Sequence, residues 1–163
     1  MTGTAEANLK KLGITLPAPA APAAAYVPYS ISGNQVYISG QLPKNAEGKL
    51  AVGQLGAPLT VEEGKAAAAT CAVHLLAQMK AAAGGDLDKI KKVLMVRCYV
   101  NSASNFHEHP FVANGCSELL VNVLGEEVGR HARCAFGVAQ LPFNAAVEIE
   151  AHVELDLQGS AHM

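Results

Sequence analysis

Charge is scarce in this chain. Only 16% of its 163 residues are Asp, Glu, Lys or Arg, while half are hydrophobic. That balance excludes a disordered polymer and leaves much apolar surface to hide, which favours self-association. Blocks of basic residues are missing too: the pairs Lys10-Lys11 and Lys91-Lys92 are the longest, and the net charge is −2. Affinity for a polyanion scales with the phosphates neutralised, so nucleic acid is a disfavoured partner. No apolar run approaches the roughly 18 residues of a membrane span. The first residues have neither the basic start nor the unbroken apolar run of a secretory signal. Cys71, Cys98, Cys116 and Cys134 form no C-x-x-C pair and have no histidine at ligand spacing, which leaves zinc and redox motifs without support. The expectation is a cytoplasmic protein with reduced thiols.

What is present suffices for one domain, since a chain of this length buries roughly 70% of its unfolded surface. Residues 1–26 stand apart as an N-terminal arm. Leu9, Leu12 and Leu16 recur at helical spacing, and the Pro/Ala-rich stretch after them favours an extended spacer. Residues 27–157 read as the domain and 158–163 as a tail. Val36 and Ile38 alternate with polar neighbours in a strand entered through Ser32-Gly33-Asn34, and a hairpin after it returns near Leu50 to Val52. Thr60 and Glu63 have the spacing of a capping box. The helix they open carries an apolar stripe of Ala68, Ala72, Leu75, Leu76, Met79 and Ala83, ending at Gly84-Gly85. His74 and Gln78 fall off that stripe, on the solvated side. The stretch from Lys91 to Ser102 is β-branched and apolar, as in a buried strand. A second helix starts about Pro110 and stops at Gly125. Two strands, about 133–139 and 146–155, close the chain. The result is an α+β domain with a mixed sheet and both helices on one face.

The last strand alternates strictly. Val147, Ile149, Ala151, Val153 and Leu155 point one way, and Glu148, Glu150, His152 and Glu154 the other. The apolar row should face the helices, and Arg133 is expected to share the acidic face. Two readings of Arg133 stand open at this point. It can form a cross-strand ion pair with a glutamate, or its rigid fork can grip a ligand carboxylate while a nearby acid serves as general base. By the same period of two, Cys134 faces opposite to Arg133 and reads as a core thiol. His131 shares the face of Arg133 and reads as a surface or interface histidine.

Three motifs carry a resemblance: Ser39-Gly40-Gln41-Leu42-Pro43 after an early strand, Arg133 followed by Leu141-Pro142, and Val147-Glu148-Ile149-Glu150. Over residues 27–157 the chain resembles the Rid (YjgF-type) family, formerly "endoribonuclease L-PSP", in a branch divergent from its enamine/imine deaminases. The resemblance implies a chorismate-mutase-like fold and a homotrimer with clefts between subunits. It implies that Arg133 holds the carboxylate of a 2-imino or 2-aminoenoic acid and that Glu148 helps activate the attacking water. It further implies substrate-binding positions at Tyr29, Gly40, Ala135 and Asn114, Asn114 being mainly structural. An imine carbon is already electrophilic, so neither metal nor cofactor is implied. The branch departs from the deaminases in carrying Ala135 where they carry a cysteine, and in a longer segment between Phe106 and Asn114. The expected activity is hydrolysis of small reactive 2-imino acids to 2-keto acids and ammonia. The alternatives are a non-catalytic binder or sensor of small carboxylates, and a ribonuclease or translation inhibitor.

Overall fold

The first helix, α1 (Thr4–Lys11), is tied down at both ends. Its opening N–H groups, at Thr4 and Ala5, donate to the Asp88 carboxylate at 2.7 and 2.9 Å, a cap supplied from a distant 3-10 turn at Leu87–Lys89. Ala5 and Leu9 are buried, Asn8 donates to the Val123 carbonyl, and Glu6 pairs with Lys80. The computed structural model describes residues 3–21 and 24–157, so the expected tail at 158–163 lies outside the described residues. Beyond α1 the arm crosses the next long helix, where the Ala20 carbonyl accepts from Gln78 Nε2 at 3.0 Å. Gln78 is therefore 1% exposed, not solvated. The arm covers the helix face that sequence periodicity had assigned to water. His74, on the same side, is half-buried and bonds the Lys44 carbonyl.

A hairpin of β1 (Tyr29–Ser32) and β2 (Gln35–Gln41) turns at Gly33, whose φ of +62° suits glycine. The strand expected at Leu50–Val52 does not form. Leu50 bridges Lys44 and Val52 bridges Ala145, so the pairing changes partner before a ladder can grow. Helix α2 (Val61–Ala82) begins with the expected capping box: Glu63 N–H donates to Thr60 Oγ1, and Thr60 N–H to Glu63 Oε2. Its six-residue apolar stripe is buried throughout. Then follow β3 (Ile90–Asn101), α3 (His109–Leu124) with Pro110 in its first turn, a short α4 (Glu126–Gly129), β4 (Ala132–Val138) and β5 (Val147–Leu155).

The strands lie in the order β1-β2-β5-β3-β4, with β3 and β4 parallel and the other neighbours antiparallel. The parallel pair requires a crossover, and α3 supplies it. Both long helices pack on one face, over the buried row Val147, Ile149, Ala151, Val153 and Leu155. They approach each other closely: a β-carbon at Gly115 of α3 would fall 2.0 Å from the Lys65 carbonyl oxygen of α2. Among the described residues, no helix packs on the opposite face of the sheet.

Candidate functional site

Cross-strand register decides which face each side chain of β4 uses. Val96 of β3 lies opposite both Arg133 and Ala151, and Ala151 belongs to the buried row. Arg133 therefore points to the helix side. Arg97 lies opposite Cys134 and Glu150, and Tyr99 opposite Phe136 and Glu148, so these six share the open face. This corrects two expectations. Arg133 does not share a face with the acidic row, because β3 separates β4 from β5 and sets the phase of β4. Cys134 is not a core thiol but exposed.

On the helix side the guanidinium meets α3. Arg133 Nη1 donates to Asn114 Oδ1 at 2.8 Å and to Ser117 Oγ at 3.2 Å, and Nη2 donates to the Pro110 carbonyl at 3.2 Å. Asn114 and Ser117 are three residues apart and so present one helix face. Ser117 is shared with His131, whose Nε2 lies 2.9 Å from its hydroxyl and whose Nδ1 donates to the Gly129 carbonyl at 2.6 Å. Burial is the largest influence on His131 and lowers its pKa from 6.5, which favours the neutral ring. Among the described residues no acid pairs with Arg133. The ion pair foreseen for it belongs instead to Arg97 and Glu150, at 2.9 Å. Of the guanidinium's five N–H donors, three have acceptors and two have none among the described residues. Beside it opens a groove of about 650 Å³, lined by Ser117, Glu118, Val121, Asn122 and Arg130.

The second half of the expected site lies on the open face. A bulge between Ile38 and Gln41 turns Gly40 toward Glu148, and a β-carbon at Gly40 would stand 2.2 Å from Glu148 Oε1. Glycine is needed there for space. Half-burial, and then the neighbouring Glu150, raise the pKa of the Glu148 carboxyl above 4.5. Gly40 also lines a hollow of about 410 Å³ with Tyr26, Ser39, His74 and Phe143.

Ala135 lies on the same face of β4 as Arg133 and packs against the core. Tyr29 pairs with Ile38 on the edge strand at the far side of the sheet. One chain thus brings together Arg133, Asn114 and Ala135, and separately Glu148 and Gly40, with the two groups on opposite faces. Sequence reasoning missed Ser117 and the Pro110 carbonyl; the spacing of Ser117 from Asn114 was the available signal for the first. Among the described residues no cluster of three or more His, Cys, Asp or Glu side chains could hold a metal ion, and no helix is long and apolar enough to cross a membrane.

Comparison with known proteins agrees with the fold. The family model described as "YjgF/chorismate mutase-like, putative endoribonuclease" matches residues 6–155. The chain belongs to that family. Protein TCP17 of Trypanosoma cruzi is 59% identical over 155 residues, covering 95% of this chain and 96% of TCP17. Among solved structures, the protein Atu1372 of Agrobacterium tumefaciens, of unknown function, is 51% identical with a TM-score of 0.86, covering 94% and 93% of the two chains. A Shewanella oneidensis protein is 38% identical with a TM-score of 0.88, covering 94% and 100%. The YjgF-type fold accounts for the mixed five-stranded sheet with α2 and α3 on one face.

Proposed function

We propose that the protein is an enamine/imine deaminase that hydrolyses small reactive 2-imino acids to 2-keto acids and ammonia. One observation carries the reading: among the described residues Arg133 is held in place by neutral acceptors alone, with two donors left for the two oxygens of a carboxylate. A guanidinium already neutralised by a protein acid would offer an incoming anion little.

Glu148 supplies the base. The imine enters protonated, water attacks its carbon, and the C=N π electrons go to nitrogen as Glu148 takes one water proton. Glu148 then returns that proton to the nitrogen. A carboxylate with a raised pKa is a stronger base than an ordinary one, which suits the abstraction from water, and its conjugate acid is still acidic enough to protonate an amine nitrogen. Arg133 and Glu148 face opposite sides of one sheet, so the reading also needs a second copy of the chain. We propose a homotrimer in which Arg133 of one protomer and Glu148 of its neighbour line a shared cleft. Such an assembly would also cover the exposed Tyr37, Phe136 and Ile31.

The separation of the two groups supports a second reading, a carboxylate binder without turnover. One experiment addresses both: 2-aminoacrylate is generated with a dehydratase and its conversion to pyruvate followed. The wild type is expected to accelerate that step, Arg133→Ala to abolish the effect, and Glu148→Ala to weaken it. No acceleration with any 2-imino acid would sink the deaminase. Unchanged carboxylate binding in Arg133→Ala would sink the binder as well.

A further inference from the structure

Beyond the residues assigned so far, the segment joining β3 to α3 holds a serine–histidine pair. Ser102 Oγ lies 3.0 Å from Nε2 of His109, the first residue of α3. Both ends of the contact are fixed. Asn101 is buried, donating to Asn144 Oδ1 and the Ala145 carbonyl, and Gln54 Nε2 donates to the Ser102 carbonyl. The His109 ring stands edge-on to Phe106 at 5.2 Å.

The pair rests directly on β4. A β-carbon at Gly137 would fall 2.5 Å from Ser102 Oγ and 2.8 Å from His109 Nε2. Any larger residue would drive the two atoms away. Gly137 lies opposite the buried Val100, so it continues the helix-side row of Arg133 and Ala135. The arginine reaches the carbonyl of Pro110, the residue next to His109. Arg133, the small Ala135 and the pair over Gly137 thus follow one another along a single strand face. Burial, and then His107, lower the pKa of His109 from 6.5, leaving a neutral ring able to accept a proton. Among the described residues, the titratable and charged groups around it are His107 and Glu108 on its own segment and Arg133 on β4; Ser102, just beyond the end of β3, is neutral.

We propose that the ligand held by Arg133 meets this pair, and that His109, through the Ser102 hydroxyl, accepts the second proton of the reaction. The step rests on the deaminase reading. After water has added and Glu148 has protonated the nitrogen, the intermediate carries one hydroxyl and one ammonium on the same carbon. The C–N bond breaks with its electron pair leaving on ammonia, and the O–H pair becomes the second bond of the carbonyl. The released proton passes to Ser102 Oγ as the serine hands its own to His109 Nε2. Products are the 2-keto acid, ammonia and a protonated His109, which discharges to solvent.

The test compares His109→Gln, Ser102→Ala and Gly137→Ala with the wild type across pH, with thermal melts confirming that each folds. The expectation is a fall in kcat of about 10²-fold for His109→Gln with KM little changed, and a similar fall for Gly137→Ala, which keeps both side chains. The acidic limb should lose one of its two ionisations, its limiting slope dropping from two to one. In the intact wild type, pyruvate should move the His109 imidazole resonances, and Arg133→Ala should remove that response. Normal kcat and slope in all three variants, with wild-type turnover present, overturn the pair and leave the deaminase standing. Absence of wild-type turnover overturns the deaminase reading and this proton path with it. An imidazole signal blind to pyruvate overturns the contact between pair and ligand.

Discussion

Arg97 Nη1 stands 2.9 Å from Glu150 Oε1, and Tyr99 donates to the same oxygen at 3.1 Å. Glu150, the nearer analogue of a cross-strand partner for Arg133, is thus satisfied by the strand lying between them. Arg97 and Arg133 divide the sheet: the first is neutralised on the open face, and the second, under α3, has no acidic partner among the described residues.

Asn114 should position that second guanidinium. Hydrogen bonds to charged groups contribute roughly 1.5–3 kcal/mol each. Asn114→Ala is expected to weaken binding of a small carboxylate such as pyruvate about 10-fold in calorimetry, the loss that about 1.4 kcal/mol produces. Ser117→Ala, which removes a longer bond that His131 shares, should cost less. Equal affinity in wild type and Asn114→Ala would show that the contact does not set the fork.

Glu148 makes stability depend on pH in a stated direction. Its carboxyl holds a proton more tightly when folded than when unfolded. Stability therefore falls as pH rises from the ordinary carboxyl range, near 4.5, through the raised folded value, and the penalty persists above it. Glu148→Gln should raise Tm at pH 7 relative to wild type, with the gain vanishing near pH 4, while turnover drops. A Tm difference independent of pH would contradict the burial of this carboxyl.

Gly40→Ala separates activity from folding. The new β-carbon meets Glu148 Oε1 at 2.2 Å and Cδ and Cγ at 3.0 Å, all in a flexible side chain. The carboxylate can swing away, so the stability cost should lie below the roughly 1–3 kcal/mol of rigid overpacking. Turnover should fall as in Glu148→Ala. A variant with full activity would place the working position of Glu148 elsewhere.

Thiol reactivity tests the face assignment of β4. Cys71, Cys98 and Cys116 are buried, and burial raises all three thiols, Cys98 to about 12. Cys134 is exposed. A chromogenic disulfide should titrate at most one thiol in the native protein and four after denaturation. More than one native equivalent would contradict the packing of the core.

Much of this was readable from residue patterns. The capping box at Thr60, the stripe of α2, the Gly125 stop (φ +87°) and the alternation of β5 are local signals, and each element formed where its signal stood. The faces of β4 were not readable. Which face Arg133 takes depends on β3 being its neighbour and β5 not, a long-range fact that no period within Arg133–Val138 encodes. Cys134 was misassigned for the same reason, and Gln78 because its cover comes from Ala20, which is 58 residues away. The serine–histidine contact likewise needs β3, α3 and Gly137 to converge, and the sequence shows only a lengthened segment.

Gly115 lets α2 and α3 touch backbone to backbone, leaving no room for a methyl group between them. The wall that carries Asn114 and Ser117 is consequently a stiff plate, not a pair of rods free to slide.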